Sequence, residues 1–352
     1  MIKTDSPYYI PIPWIDPNTV TISDSFVLRL YVIDGDKSTP ATTPTQEIEK
    51  TNFFGLDNST SIDVSDYINS EIPFTLLQGN TTGIQNSDSQ VWLFWDIVYT
   101  VGGVEQTPTI LTKVLCTRGY GNGIEGMNPT TTLNGLLAEP IDYNVNKGGS
   151  VFIPFEASET ITTEISLVRE DATTVFSKAA TTVSGELVQM LYVDLSEYPN
   201  DEYIEILYND TLITTLEIKE EQKFTPLEIA FRNKEGQLQT FTFFREKKDV
   251  VSFAGDSYEN SVGQPIDGVH QFKDFNTNAR SSFLINTGWI SEESSEVLKQ
   301  ILLSDVIWIT NGTNYTPINR DQKALEIKKR INDKLINYEI GFKYSYNEKN
   351  NI

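Results

Sequence analysis

Strict two-residue alternation of apolar side chains is the feature that most constrains this chain. Ile336, Tyr338, Ile340, Phe342, Tyr344 and Tyr346 alternate without a break. Residues two apart share a face in an extended strand and not in a helix. The pattern recurs between turn signals. Phe26, Leu28, Leu30 and Val32 point one way, in a run ending at Asp34-Gly35. Trp92, Phe94 and Val98 share one face, and Val91, Leu93, Trp95, Ile97 and Tyr99 the other. A strand apolar on both faces is expected at the centre of a sandwich. Gly102-Gly103 reads as a hairpin turn into Thr109–Leu115. Ile204, Ile206 and Tyr208 form a strand, Asn209-Asp210 a tight turn, and Leu212 to Ile218 the return. Leu227–Arg232, a turn over Asn233–Gly236, and Leu238–Arg245 make another hairpin. Residues 284–290 and Val306–Thr310 read as strands, with a turn at Asn311-Gly312. The helical period occurs once. Val297, Leu298, Ile301 and Leu302 lie on one face of a helix over 291–303, capped by Ser291, with Glu292 and Glu293 in its first turn.

The expected fold class is therefore mainly β. It comprises two N-terminal β-sandwich domains of immunoglobulin-like type, over 1–140 and 141–222. A C-terminal β-sandwich or barrel with one α-helix follows over 223–352. The glycine-rich run Gly119-Tyr-Gly-Asn-Gly123 and Met127–Thr132 precede the first boundary. The acidic run Glu217–Glu221 before Pro226 marks the second. Charge divides along similar lines. Residues 1–225 hold 11 basic and 32 acidic side chains, a net of −21, and residues 226–352 hold 16 and 17, a net of −1. Such an asymmetry suggests parts with different surroundings. The acidic balance argues against sequence-specific nucleic-acid binding through phosphate contacts.

Residue types that carry chemistry are sparse. A lone histidine, His270, removes any histidine pair for zinc, and no Gly-x-Ser-x-Gly elbow sets a serine beside it. One cysteine, Cys116, excludes an internal disulfide and reads as a buried thiol in a strand. Gly119–Gly123 and Lys147–Ser150 lack the spacing of phosphate-binding loops and read as turns. Asp194 and Glu197 could form a carboxylate pair. Asp34 with Asp36, or Asp194, Glu197 and Asp201, could contribute to a calcium loop; solvated loop acids are the plainer reading. Asn58 and Asn311 are among five glycosylation sequons that matter only in a secretory pathway, and Met1–Asp5 shows no signal-peptide core. The longest apolar stretch, Val91 to Val101, contains Asp96 and is too short to span a bilayer. Arg320, Lys323, Lys328, Lys329, Arg330 and Lys334 are interleaved with acids and read as a solvated face or a salt-bridged subunit contact. Tyr8, Tyr9 and Trp14 lie among prolines. They could stack on a sugar or form an arm that adds to a neighbouring subunit's sheet. No catalytic, cofactor or metal residues are assigned.

Phe224–Gly236, Phe241–Arg245, His270–Lys273, Asn286–Trp289, Leu298–Ser304 and Lys334–Glu339 form a further set of segments across 223–346. In these the chain resembles virion structural proteins of tailed bacteriophages and prophages of Bacteroidota-type hosts. Phe26–Gly35, Trp92–Tyr99 and Gly119–Gly121 are similar in style. The resemblance implies a tail or baseplate component, made in the bacterial cytoplasm and located in the virion. It implies contacts with copies of itself in a ring or other homo-oligomer and with other virion proteins. No active site is implied, and a tail-ring subunit is the fold analogy. On this reading the near-neutral third block docks against other subunits. The acidic block projects outward or lines a passage for DNA. An alternative is a receptor- or glycan-binding module using loops around Trp14, Tyr120 or Trp289 against a host surface glycan. A third is a glycan hydrolase that needs two converging acids.

Overall fold

The computed structural model describes residues 1–352 except 19–20, 35–39, 41, 53–58, 75, 80, 110, 126–127, 129–134, 140–141, 158–162, 181–187, 261–267, 327–334 and 350–352. Gly35, Asp36, Asn58, Ile110, Met127, Lys328, Lys329, Arg330 and Lys334 lie outside the described residues. The chain is mainly β, as its alternation predicts.

Residues 2–117 build a sheet whose order is Ile2–Lys3, Thr112–Thr117, Gln90–Val101, Ser25–Asp34 and Gln46–Thr51. The doubly apolar strand Gln90–Val101 is the central one, as expected. One of its faces supplies Val91, Leu93, Ile97 and Tyr99 to a core with Ile12, Trp14, Phe26 and Leu28. The other supplies Trp92 and Phe94 to a second core with Tyr31, Leu115, Leu137 and Val188. Asp96 is tolerated in the apolar run because Arg29, directly opposite, grips both its carboxylate oxygens at 2.7 Å. Gly102 and Gly103 take φ of 59° and 77°, the left-handed pair that a two-residue hairpin requires. Ser65–Asn69 forms a one-turn helix that the sequence pattern does not announce.

Two further sheets face each other. One runs Tyr143–Asn146, Thr211–Lys219, Tyr203–Tyr208, Thr163–Arg169 and Thr174–Ala180; the other runs Ser150–Glu156, Val188–Asp194 and Gly83–Asn86. Tyr143, Ile165, Ile204 and Leu216 of the first meet Val151, Ile153, Leu191 and Val193 of the second in one core. Gly83–Asn86 belongs to the first third of the sequence yet pairs with Gln189–Tyr192. The expected turn at Asn209-Asp210 has φ of 48° and 60°.

The last sheet has seven strands, in the order Leu238–Phe243, Leu227–Arg232, Ile307–Thr310, Tyr315–Arg320, Glu339–Tyr344, Phe272–Asn286 and Lys247–Glu259. Its Ile229, Phe231, Phe283 and Phe342 join the same continuous core that holds Val151 and Ile204. Three expectations need correction here. The strand expected over 284–290 is the end of a much longer one, Phe272–Asn286. The chain turns at Gly288, with φ of 72°, before Ile290–Ser291 pairs with Leu335–Ile336. That pairing holds Ser291 extended, so the helix spans Ser294–Leu303 and not 291–303. Ser291 Oγ still accepts the Ser294 N–H at 3.4 Å, and Glu296 is the acid of the first turn. The final alternation is broken into Leu335–Ile336 and Glu339–Tyr344, because the Tyr338 N–H donates to Thr287 Oγ1 and its carbonyl accepts from the Thr287 N–H instead of from a strand.

The turn Asn233–Gly236 joins these parts. Asn233 and Gln237 are buried, and the Asn233 side chain accepts from the Glu235 and Gln237 N–H groups at 3.0 Å. It donates to the Leu137 carbonyl at 2.8 Å and to Gln239 at 2.9 Å. Gln237 donates to the Ser89 carbonyl and accepts from Ser87 Oγ. Gly119 presses on this turn: a Cβ added there would sit 2.5 Å from the Lys234 carbonyl oxygen. A Cβ on Gly236, whose φ is 82°, would sit 2.6 Å from the Arg118 carbonyl carbon. Gly103 shares the left-handed backbone with open space around it. Gly103→Ala should therefore cost about 1 kcal/mol, and Gly236→Ala roughly 3 kcal/mol because backbone must also shift. Chemical denaturation of both variants measures the difference.

Candidate functional site

The residues capable of chemistry are dispersed into structural tasks. Cys116 is buried between Ile2 and Val91 on adjacent strands, and burial pushes its thiol up to about 12. His270 is exposed beyond the Lys247–Glu259 strand. Asp194 caps the turn Leu195–Glu197 by accepting from the Ser196 N–H and Oγ. Glu197 accepts from the Thr82 N–H at 3.1 Å, and Asp201 binds Arg169 at 2.8 Å. The suspected carboxylate pair is thus turned toward different partners. Asp34 ends its strand exposed. Among the described residues no group of three or more His, Cys, Asp or Glu side chains could hold a metal ion. Gly119–Gly123 leads into a three-residue turn, Gly123–Glu125, and Lys147-Gly148 turns between two strands with Lys147 bound to Glu220 at 3.1 Å. Asn311 Oδ1 accepts from Thr313 and Asn314 N–H groups to close its hairpin. Arg320 donates to the Leu302 carbonyl at the end of the helix, and Lys323 is exposed.

The N-terminal arm is folded into its own chain, against the expectation of an arm that adds to a neighbouring subunit's sheet. Tyr9–Pro13 pairs with Ser59–Asp63, and Ile10, Ile12 and Trp14 are buried. The Trp14 ring packs on Phe26 with centroids 4.9 Å apart. The prolines are tolerated because this ladder has only two strands. Tyr120 is half-buried in the loop beside Asn233.

Two sites hold a buried charged residue, Arg232 in the first and Glu228 in the second. Arg232, Arg118, Asp5 and Asp305 surround a cavity of about 220 Å³. Arg232 contacts Asp305 and lies 3.9 Å from Asp5, while Arg118 lies 3.8 Å from Asp5 and 3.6 Å from Asp305. Burial lowers the Arg232 pKa and raises that of Asp5, so desolvation outweighs the attraction of the opposite charges. The second is Glu228, nearly buried on Leu227–Arg232 with its carboxyl against Gly149 and Ser150. Burial pushes its pKa up to about 7, although a Ser150 backbone hydrogen bond pulls the other way.

Trp289 is 56% exposed at the rim of a cleft of about 300 Å³. Asn144, Lys219, Glu221, Phe241 and Arg245 also line it, with Arg245 3.5 Å from Glu221. This is the one loop aromatic, of Trp14, Tyr120 and Trp289, that the structure leaves largely open.

Among the described residues, a group of exposed apolar side chains lies elsewhere. Lys247–Glu259 and Phe272–Asn286 form a long antiparallel ribbon. Glu339–Tyr344 pairs only with Ser282–Asn286 of it. Beyond that pairing the two strands run on as a ladder for about 30 Å, with Tyr344–Lys349 bonded to it at Asn278–Ser281. Val250, Val251, Phe253, Tyr258, Phe272 and Phe275 are all exposed there, Phe253 at 83%. The sequence reading missed this ribbon because it buries no face and so shows no clean period. The uncharged window Val250–Gly255 was the signal that could have found it.

No protein-family model matches this chain, and no curated protein sequence matches it.

Glu228 gives a signed pH dependence. Its folded pKa is above its ordinary value of 4.5. The stability it contributes is thus fully present below about 4.5 and lost as pH rises through about 7. Glu228→Gln should flatten this slope and raise stability near pH 8 by up to roughly 3 kcal/mol. Denaturation midpoints of both proteins across pH 5 to 8 check it.

Proposed function

We propose that this chain is a structural subunit of a bacteriophage tail or baseplate, acting by ring or hub assembly and not by catalysis. The observation that carries the reading is the ribbon: exposed aromatic and aliphatic side chains on an open strand edge, in a chain with a net charge of −22. An apolar edge of this kind is a liability unless a partner covers it. The dispersal of acids into caps, turns and ion pairs fits a scaffold. The near-neutral third block would dock against copies of itself and other virion proteins. The acidic block would face solvent or a DNA passage. In architecture, we read 1–140 and 141–222 as immunoglobulin-like sandwiches and 223–352, with its helix, as the docking unit. Facing sheets over a shared core support a sandwich built around 141–222, to which Gly83–Asn86 adds a strand and whose core runs on into 223–352. The protein would be made in the bacterial cytoplasm and carried in the virion.

The exposed Trp289 beside Arg245 and Glu221 favours a second reading, a host-glycan contact on the same particle. Aromatic faces with a few convergent polar groups suit such ligands.

Cryo-electron microscopy of particles, with this subunit located, tests the first reading. Repeated copies in a tail or baseplate assembly are expected; absence from purified particles would overturn it. A glycan array tests the second. Binding that Trp289→Ala weakens by about tenfold supports it, and an array without signal removes it.

A further inference from the structure

The seven-stranded sheet has two outer strands, and they differ. Leu238–Phe243 is largely buried, and its Thr240 Oγ1 accepts from the Phe152 N–H at 3.3 Å. Lys247–Glu259 is exposed along almost its whole length. Two other outer strands carry guards. Gln46–Thr51 holds Glu47, Glu49 and Lys50, and Thr174–Ala180 holds Lys178 beside a register shift. Charges and bulges of this kind discourage edge pairing. Val250–Gly255 has six consecutive uncharged residues, all exposed, with Val250, Val251 and Phe253 the large apolar ones, and the register shift beside Gly255 places its extra residue on the partner strand Phe272–Asn286 and not on this outer one.

We propose that two copies of this chain join edge to edge along Lys247–Glu259, antiparallel about a two-fold axis. The occupant is fixed by charge. Lys247 and Lys248 open the strand, and Asp256 and Glu259 close it. Antiparallel self-pairing sets the basic end of each copy against the acidic end of the other, whereas parallel pairing stacks like charges. In registers that place Phe253 opposite Phe253 or Ala254 of the second copy, Lys247 or Lys248 falls opposite Glu259. Asp249 is already held within its own chain by Lys247 at 2.8 Å. The whole ribbon balances Lys247, Lys248, Lys273 and Arg280 against Asp249, Asp256, Glu259 and Asp274. A chain of net charge −22 can therefore meet its copy there with least repulsion. An isologous contact follows because the same strand serves both sides. The inference rests on the assembly reading and names its surface and its partner.

Sedimentation velocity on the intact chain tests it. The protein should show a concentration-dependent monomer–dimer equilibrium. Lys248→Glu and Glu259→Lys should each weaken dimerisation roughly tenfold. Mixing these two variants should restore it, since both ends of the mixed pair then carry opposite charges. Phe253→Lys should abolish it while leaving the thermal midpoint of the dilute, monomeric protein unchanged, because that side chain is 83% exposed in the monomer. A monomer at the highest soluble concentration, or dimers that neither charge reversal nor Phe253→Lys alters, would overturn the proposal. Neither result touches the assembly reading, which stands or falls on the subunit's presence in particles.

Discussion

The structure depends on one buried polar turn. Asn233–Gly236 is held by its own Asn233 side chain, and its neighbours spend their polar groups on other parts of the chain. Asn233 reaches Leu137, Gln237 reaches Ser87 and Ser89, and Gln239 reaches the Tyr143 hydroxyl. The Lys234 N–H goes to Gln300 of the helix, and the Lys234 carbonyl accepts from the Tyr120 N–H. Every one of these groups would be costly to bury unpaired, so the parts cannot separate without exposing the whole set to water at once. Two glycines allow the approach: at Gly119 and Gly236 backbone lies where any side chain would stand.

Around this turn the charges are arranged to the same end. Lys3, almost fully buried, binds Glu235 at 2.8 Å and so ties the N-terminal strand to the turn. The four-charge cluster of Asp5, Arg118, Arg232 and Asp305 repeats that link from the other side. Such pairs contribute little net stability, since desolvation of the buried Lys3 and Arg232 and solvent screening of the partly open Asp5, Arg118 and Asp305 consume most of the attraction. Their effect is to fix which surfaces meet. The acidic and near-neutral blocks of the sequence are therefore not separate bodies at this junction. What the neutral block leaves exposed is the ribbon, where charge balances and apolar groups collect.

Much of the fold was legible because burial leaves a period. Gln90–Val101, buried on both faces, read directly as a central strand, and Asn209-Asp210, Asn233–Gly236 and Asn311-Gly312 read as turns from residue type. The ribbon was illegible for the opposite reason: with no buried face, Val250, Val251 and Phe253 follow no single side. Trp14 misled because prolines on either side suggested an arm that adds to a neighbouring subunit's sheet, whereas Ile10, Ile12 and Trp14 carry the alternation of a packed strand. The pairing of Gly83–Asn86 with Gln189–Tyr192 is a long-range contact that no local pattern encodes. For the candidate site, Trp289 was found from its type and its loop. The isolation of Glu228 depends on Gly149 and Ser150, far away in sequence.

The central claim is that one rigid body, locked at the Asn233 turn, carries an exposed ribbon. Native-state hydrogen exchange on the dilute protein tests it most directly. The account predicts that the amides of Glu235, Gly236 and Gln237 exchange only with global opening, together with those of the central strand Gln90–Val101. It predicts that the outward amides of Val250–Glu259 exchange fast. Independent opening of residues 2–117, while the seven-stranded sheet stays protected, would contradict it.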